Sequence, residues 1–407
     1  MEAEPDLRRT GRAPAAHLDL LCAITAYPPS TGGAQLHLHA LLTHMERTSA
    51  EVVTWWDRNR SDWLLGTTLR APAHASDDRV DGIAVHRLGL SAADRIRAVP
   101  AVAGYYLATD WAASRLSRPL ARALDDRVGS ADVVHCVRVG REPLALAAER
   151  AARRAGRPFV LTPLHHPRWG GRRHRTYLDL YRRADRVIAL TEAERATLIS
   201  TGVPGTRIRV TGHGPVVAPD ADGDAFRRRH GVTGPMVLFL GQHFAYKGFR
   251  IVLESAPLVW RHVPSARFVF AGPPVGRSER AFVGADPRIL RLGTLDLREK
   301  TDALAACDVL CVPSTQESFG GVFTEAWSLG RPVIGGDIPP VREVIDDDVD
   351  GFVVPPSPEF VAARIRCLLE DPARGHAMGA AGRRKVAARW SWPVLAAATE
   401  RIYEEVA

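Results

Sequence analysis

Short apolar runs recur along this chain, and most are followed by stretches in which apolar residues return every three or four positions. An unbroken apolar run reads as a parallel strand covered on both faces, and the second pattern reads as a helix, so the alternation predicts α/β organisation. In the first half, strands are expected over 18–26, 51–54, 83–88, 132–137, 158–162, 186–190 and 207–211. The alternation breaks over 214–224, where proline, glycine and aspartate gather as they do in linkers. It resumes with strands over 236–240, 266–271, 289–292, 308–312, 332–335 and 351–354, and closes on a helix over 392–406 that starts at Pro393. No internal repeat or low-complexity block interrupts it. The expected organisation is a polar tail (1–17), a Rossmann-like first domain (18–213), the linker (214–224), a Rossmann-like second domain (225–390) and a C-terminal helical segment (391–407).

Length agrees, since 407 residues with 46% hydrophobic content can fill two cores. No apolar run is long enough to span a bilayer and the first 17 residues lack a signal-peptide core, so a soluble cytoplasmic protein is expected. The five cysteines, Cys22, Cys136, Cys307, Cys311 and Cys367, are an odd number lying mostly in strand-like runs, which predicts reduced buried thiols. Cys307 and Cys311 have no second pair or histidine cluster to complete a zinc site. A net charge of +8 suits an anionic ligand. With no zinc finger, RNA-binding aromatic motif or lysine-rich tail, nucleic acid is excluded as a partner. The arginine-rich segment 172–186 places Tyr177, Leu180, Tyr181 and Ala184 on one helical stripe. It fits a core helix with a solvated face, or a helix resting weakly on the inner face of a membrane. Because the stripe runs straight into a strand, the core helix is favoured.

The chemistry concentrates where expected strands end. After the strand 308–312, the loop 314–320 leads into a helix from Gly321, with Glu317 in the loop and Glu325 about one turn into the helix. Backbone N–H groups at Gly320 and Gly321 and the positive end of the helix dipole can take a phosphate, and the missing side chains let it approach. Glu325 can then accept the two hydroxyls of a ribose, and Glu317 those of a second ring. Ser30-Thr-Gly32-Gly33 follows the first strand and can offer further backbone donors. Of the 54 basic side chains only Lys247, Lys300 and Lys385 are lysines. Lys247, in the loop after the strand 236–240, is therefore an unusual choice, and a compact ammonium suits a diphosphate there. Thr162-Pro-Leu-His165-His166-Pro and His135-Cys-Val-Arg138 also end strands, on the side where an acceptor would enter.

The stretch Phe239–Val354 resembles the retaining family-4 glycosyltransferases of GT-B fold, whose signature is two glutamates with seven residues between them, here Glu317 and Glu325. Accessory motifs run in order: Gly241-Gln-His-Phe-Ala-Tyr-Lys-Gly248, Ala271-Gly-Pro-Pro274, Leu292-Gly-Thr-Leu295, Pro313-Ser314, Gly330-Arg-Pro-Val-Ile334, Glu343 and Asp350-Gly-Phe352. Tyr27-Pro-Pro-Ser-Thr-Gly-Gly33 is similar to the family's first loop. The resemblance implies two doubly wound domains facing a cleft, with the C-terminal helix crossing back to the first. It also implies retaining transfer of a sugar from a nucleoside-diphosphate co-substrate to a hydroxyl acceptor, whether saccharide, lipid-linked or small aglycone, with neither metal nor cofactor. Catalytic roles then fall on Glu317, Lys247 and a cleft histidine that is either His165 or His166. Donor binding falls on Gly32, Gly33, Gln242, Lys247, Gly272, Pro273, Leu295, Ser318, Phe319, Gly320, Gly321, Val322 and Glu325, and the acceptor side on His135 and Arg138. At Gln242 the family usually has an arginine, so this chain carries less charge there. A non-catalytic nucleotide-sugar binder and a GT-B epimerase or phosphorylase are the competing readings; a phosphorylase needs a pyridoxal-binding lysine, for which there are few candidates.

Overall fold

The computed structural model describes residues 17–30, 32–56, 72–138, 143–165 and 175–407. Its first half carries strands β1 Leu18–Ala26, β2 Thr48–Trp56, β3 Ser76–Val80, β4 Ile83–Arg87, β5 Val133–Val137, β6 Phe159–Thr162, β7 Arg186–Ala189 and β8 Ile208–Val210. Between them run helices α1 Gly33–Leu42, α2 Ala92–Ala103, α3 Thr109–Ser130, α4 Leu144–Ala155, α5 Arg175–Arg183 and α6 Glu192–Ser200. The second half carries β9 Met236–Leu240, β10 Arg267–Ala271, β11 Ile289–Leu292, β12 Val309–Val312, β13 Val333–Gly336 and β14 Gly351–Val354. Its helices are α7 Gly223–His230, α8 Phe249–Trp260, α9 Leu297–Ala306, α10 Gly321–Ser328, α11 Pro339–Val344, α12 Pro358–Glu370, α13 Pro372–Lys385 and α14 Trp392–Glu404.

Two sheets result, in the orders β3-β4-β2-β1-β5-β6-β7-β8 and β11-β10-β9-β12-β13-β14. Every strand pair is parallel except β3–β4. Strands β5, β6, β9 and β12 are buried along their whole length, which is why they read as continuous apolar runs. Strand β3, Ser-Asp-Asp-Arg-Val, is the one the hydrophobic pattern misses, because its exposed edge position needs no apolar face. Asp81 and Gly82, both at positive φ (47° and 83°), close the β3–β4 hairpin, and the charges on β3 keep the edge from pairing further.

Helix α5 settles the reading of the arginine-rich segment: Tyr177, Leu180 and Tyr181 are buried, and Tyr177 Oη lies 3.0 Å from Tyr105 Oη. The segment's first residues, 172–174, lie outside the described part. All five cysteines are free, four of them buried. Past β8 the chain threads between Trp390 and Trp392: a Cβ on Gly212 or Gly214 would collide with those rings, and Trp392 Nε1 donates to Pro215 O at 2.8 Å. Helix α14 then lies on the first domain. Glu400 accepts the N–H groups of Glu46 and Arg47 at 3.0 and 2.7 Å, and Ile402 and Tyr403 join the core beneath β1 and β2.

Candidate active site

Strands β11, β10, β9 and β12 are neighbours, so their following loops stand in a row at one edge of the second sheet. That row aligns Leu295, Pro273, Gln242 to Lys247, and Glu317 to Glu325. The loops are pressed together at glycines. A Cβ on Gly272 would sit 2.1 Å from Gly241 O, and one on Gly248, at φ 82°, would sit 2.5 Å from Pro313 O. Thr315 N donates to Tyr246 O at 2.8 Å across the same junction. The close approach brings Lys247 Nζ to 2.6 Å from Glu317 Oε1, uniting two of the residues expected to carry catalysis. Gln242, in the same loop as Lys247, is exposed, and Pro273 and Leu295 are half-buried.

Helix α10 starts at Gly320, which is left-handed (φ 88°) with the Phe323 ring against its missing side chain, and no side chain caps it. Phe323 N bonds Gly320 O, while the N–H groups of Gly321 and Val322 begin the helix and can face a ligand. One turn on, Glu325 is 7% exposed. Lys300 Nζ donates to Glu325 Oε1 at 2.7 Å and to Val216 O at 2.6 Å, and the Val216 N–H bonds the same carboxylate. The ribose candidate is thus tied to the linker. Burial raises the Glu325 pKa, and Lys300 works against that rise. Each of the three lysines has a carboxylate partner, the third being Lys385 with Asp350 and Asp346.

On the first domain, a Cβ at Gly33 would meet nothing within 4 Å, so the start of α1 opens onto free space, whereas Gly32 packs on Gln35. Ser318 bridges the domains, its hydroxyl donating to His165 O at 2.9 Å and its carbonyl accepting from Thr191 Oγ1 at 3.1 Å. Glu343 of α11 accepts the N–H groups of Glu192 and Ala193 at 2.7 and 2.6 Å, capping α6 from the other domain. Buried Glu194 takes the N–H of His165 at 2.7 Å and of Leu190 at 2.8 Å, fixing the histidine loop to the same helix start.

Burial pushes the Glu194 pKa from an ordinary 4.5 up to about 7, against the two N–H bonds that favour the anion. A folded chain that holds this proton is stabilised at low pH, and the contribution disappears as pH rises through 7. The melting temperature is therefore expected to fall from about pH 5 to about pH 8 more steeply in the native protein than in Glu194→Gln. Equal slopes would contradict a raised pKa.

Two sequence expectations change. His135 does not face an acceptor: its Nδ1 lies 2.8 Å from Tyr403 Oη and its Nε2 2.8 Å from Thr162 Oγ1, and burial holds its pKa down to about 3. A neutral ring with both nitrogens engaged is a brace between β5, β6 and α14. Phe319 offers only backbone to a donor, because its ring is buried against Trp390 and His213. Arg138 ends β5 in the left-handed region (φ 64°), its N–H on Thr162 O. His165 is buried with its ring edge-on to Tyr181, and His166 lies outside the described residues.

Sequence reasoning missed Lys300, although the scarcity of lysine that singled out Lys247 applies equally to it. It also missed His213, which lies between two glycines beyond β8. A Cβ on Gly321 would come within 2.8 Å of the His213 ring, so this histidine stands at the start of α10. Its Nδ1 donates to Gly214 O at 2.7 Å, and burial, with Lys300 adding to it, lowers its pKa to about 4. The ring is neutral at pH 7, with Nε2 as its acceptor.

Two sheets, parallel but for the β3–β4 edge and joined by a short linker, with a carboxylate pair and an open helix start at the strand ends, define a GT-B glycosyltransferase architecture. Two family models match in tandem: the glycosyl transferase 4-like domain over residues 32–214 and glycosyl transferases group 1 over residues 234–371. The chain belongs to this family-4 group. It is similar to a phosphatidyl-myo-inositol mannosyltransferase of Mycobacterium tuberculosis, with 33% identity over 182 residues, 43% of this chain and 48% of the relative. A D-inositol 3-phosphate glycosyltransferase of Xylanimonas cellulosilytica is 32% identical over 243 residues, 54% of this chain and 57% of the relative. The chain thus spans about half the length of the curated relatives it matches. Among solved structures, Anabaena HepE in complex with UDP-glucose superposes with a TM-score of 0.73 at 19% identity, over 96% of this chain and 99% of that one. No helix among the described residues is long and apolar enough to cross a membrane.

Proposed function

We propose that this chain transfers a sugar from a nucleoside-diphosphate sugar to a hydroxyl acceptor, retaining the anomeric configuration and using no metal. The observation that carries the reading is the 2.6 Å contact of Lys247 with Glu317. A diphosphate and the sugar it carries are one molecule, so a cation for the first and a hydroxyl acceptor for the second must adjoin, as these do. In the reaction the anomeric carbon–oxygen bond to the diphosphate breaks, and a bond to the acceptor oxygen forms on the same face. The acceptor proton passes to a phosphate oxygen of the leaving group. Lys247 and the N–H groups of Gly33, Gly321 and Val322 stabilise the charge that gathers there. Glu317 holds the transferred sugar, Glu325 the ribose, and the loop ending in His165 and His166 borders the acceptor. The relatives are named for inositol-based acceptors, which supports a polyol, free or lipid-linked, as the acceptor class. A lipid-linked acceptor would place the enzyme at the inner membrane face.

Among the described residues, no group of three His, Cys, Asp and Glu side chains could hold a metal ion. The test screens UDP-glucose and GDP-mannose by thermal shift, since a ligand that binds only the folded state raises its melting point. The best binder is then assayed with myo-inositol in EDTA, and the product's anomeric configuration is read by NMR. Turnover with retention is expected. Binding without turnover on any polyol would favour a non-catalytic binder, and activity restored only by Mg²⁺ or Mn²⁺ would remove metal independence.

A further inference from the structure

The helical layer of the first domain holds a cavity that sugar transfer does not use. It lies between α2, α3 and α4, measures about 520 Å³, and is lined by no residue of the second domain. Trp55 and Leu90 form part of its apolar lining. Trp55 is 1% exposed, and among the described residues its indole Nε1 has no hydrogen-bond partner. A buried donor left unpaired keeps its desolvation penalty, so this N–H favours any ligand that supplies an acceptor.

The remaining lining is strongly cationic. Arg115, Arg118 and Arg122 follow one another at three- and four-residue spacing on α3 and so share a face. None of the three has an ion pair or hydrogen bond among the described residues. Arg150 and Arg154 enter from α4 and Arg97 from α2, against a single lining carboxylate, Asp94. Arg97 already shares Asp94 at 3.5 Å, Arg154 bonds Asp125, and Arg150 donates to Ser114 and Ser117. Burial holds Arg150 below the usual guanidinium range, with Arg118, Arg183 and Arg154 adding to the effect and Glu149 opposing it. Positive charge is therefore in excess around a half-open volume at which Arg115, Arg118 and Arg122 are exposed, and guanidinium groups are matched in geometry to oxyanions.

We infer that this cavity binds a phosphate-bearing ligand, its oxyanion held by Arg115, Arg118 and Arg122 and its body set against Trp55 and Leu90. Such a group can come from a soluble phosphate ester or from a phospholipid headgroup. The second source is made accessible by α2 and the turn after it, which leave Ile96 72%, Val99 48% and Leu107 94% exposed.

The experiment uses the full chain with UDP at saturation, so that the donor site is occupied. Glycerol 3-phosphate binding is measured by calorimetry, and vesicle retention by sedimentation with phosphatidylcholine alone or mixed with phosphatidylglycerol. The expected result is binding that falls at least about tenfold in R118A/R122A, the loss of roughly one charge-assisted hydrogen bond. Trp55→Phe, which replaces the indole by a smaller ring without an N–H donor, is expected to weaken the same binding. Tight glycerol 3-phosphate binding without vesicle retention assigns a soluble ester, and arginine-dependent retention on phosphatidylglycerol assigns a headgroup. If the native chain binds neither probe, or both variants bind as the native chain does, the inference is overturned.

Discussion

Replacing Glu325 with alanine is expected to lower both the melting temperature and the donor affinity, because one carboxylate serves both. The side chains of Glu325 and Lys300 are only 9% and 16% exposed, and their pair holds the linker at Val216. Removing one partner of a buried ion pair leaves the other charge uncompensated, at a cost of about 3 kcal/mol. If the same carboxylate accepts the ribose hydroxyls, the donor loses charge-assisted hydrogen bonds of about 1.5–3 kcal/mol each, at least a tenfold weakening. Lys300→Met separates the two roles. It should destabilise by a similar amount, since it strands the carboxylate, whereas the double variant Lys300→Met with Glu325→Gln should recover stability but not donor affinity. Thermal melts and calorimetric titration with the nucleotide sugar test this, and undiminished donor affinity in Glu325→Ala would remove the ribose role.

What the chain reveals in advance follows from which forces are local. The buried parallel strands were legible because covering both faces leaves an unbroken apolar run, and the glycines at strand ends marked where backbone must come close. Gly272 and Gly248 are cases in point, since any side chain there would strike a neighbouring loop. Strand β3 was not legible, because an edge strand stabilised by a hairpin turn can be almost wholly polar. His135 misled for another reason: its partner Tyr403 is 268 positions away, and nothing in the local pattern announces a brace supplied by the last helix. A separation of 151 positions likewise hides the capping of α6 by Glu343. Ser318, a donor-binding candidate, also joins the two domains through its hydroxyl and carbonyl, partners 153 and 127 positions away that no local pattern announces.

Lys247→Ala is expected to cost more turnover than any other single change in the second domain, on the order of a hundredfold, the usual loss when one donor to a developing anion is removed. Charge on the leaving diphosphate is greatest in the transition state, so turnover should fall further than donor affinity. The 2.6 Å contact with Glu317 adds a second consequence. Residues that close should couple, so Glu317→Gln made in the Lys247→Ala background should cost less than it does alone. Gln242 supplies the opposite sign. It is exposed in the loop after β9 that also carries Lys247, and if an added guanidinium there reaches the same diphosphate, Gln242→Arg should tighten donor binding by about 1–3 kcal/mol. The competing outcome is an arginine that pairs with Glu317 and draws it from the sugar, which would lower turnover while leaving affinity intact. Donor affinity and turnover measured for all four variants decide between them. Normal values for both in Lys247→Ala would mean that this loop does not hold the diphosphate, and that the donor lies elsewhere along the row of strand ends.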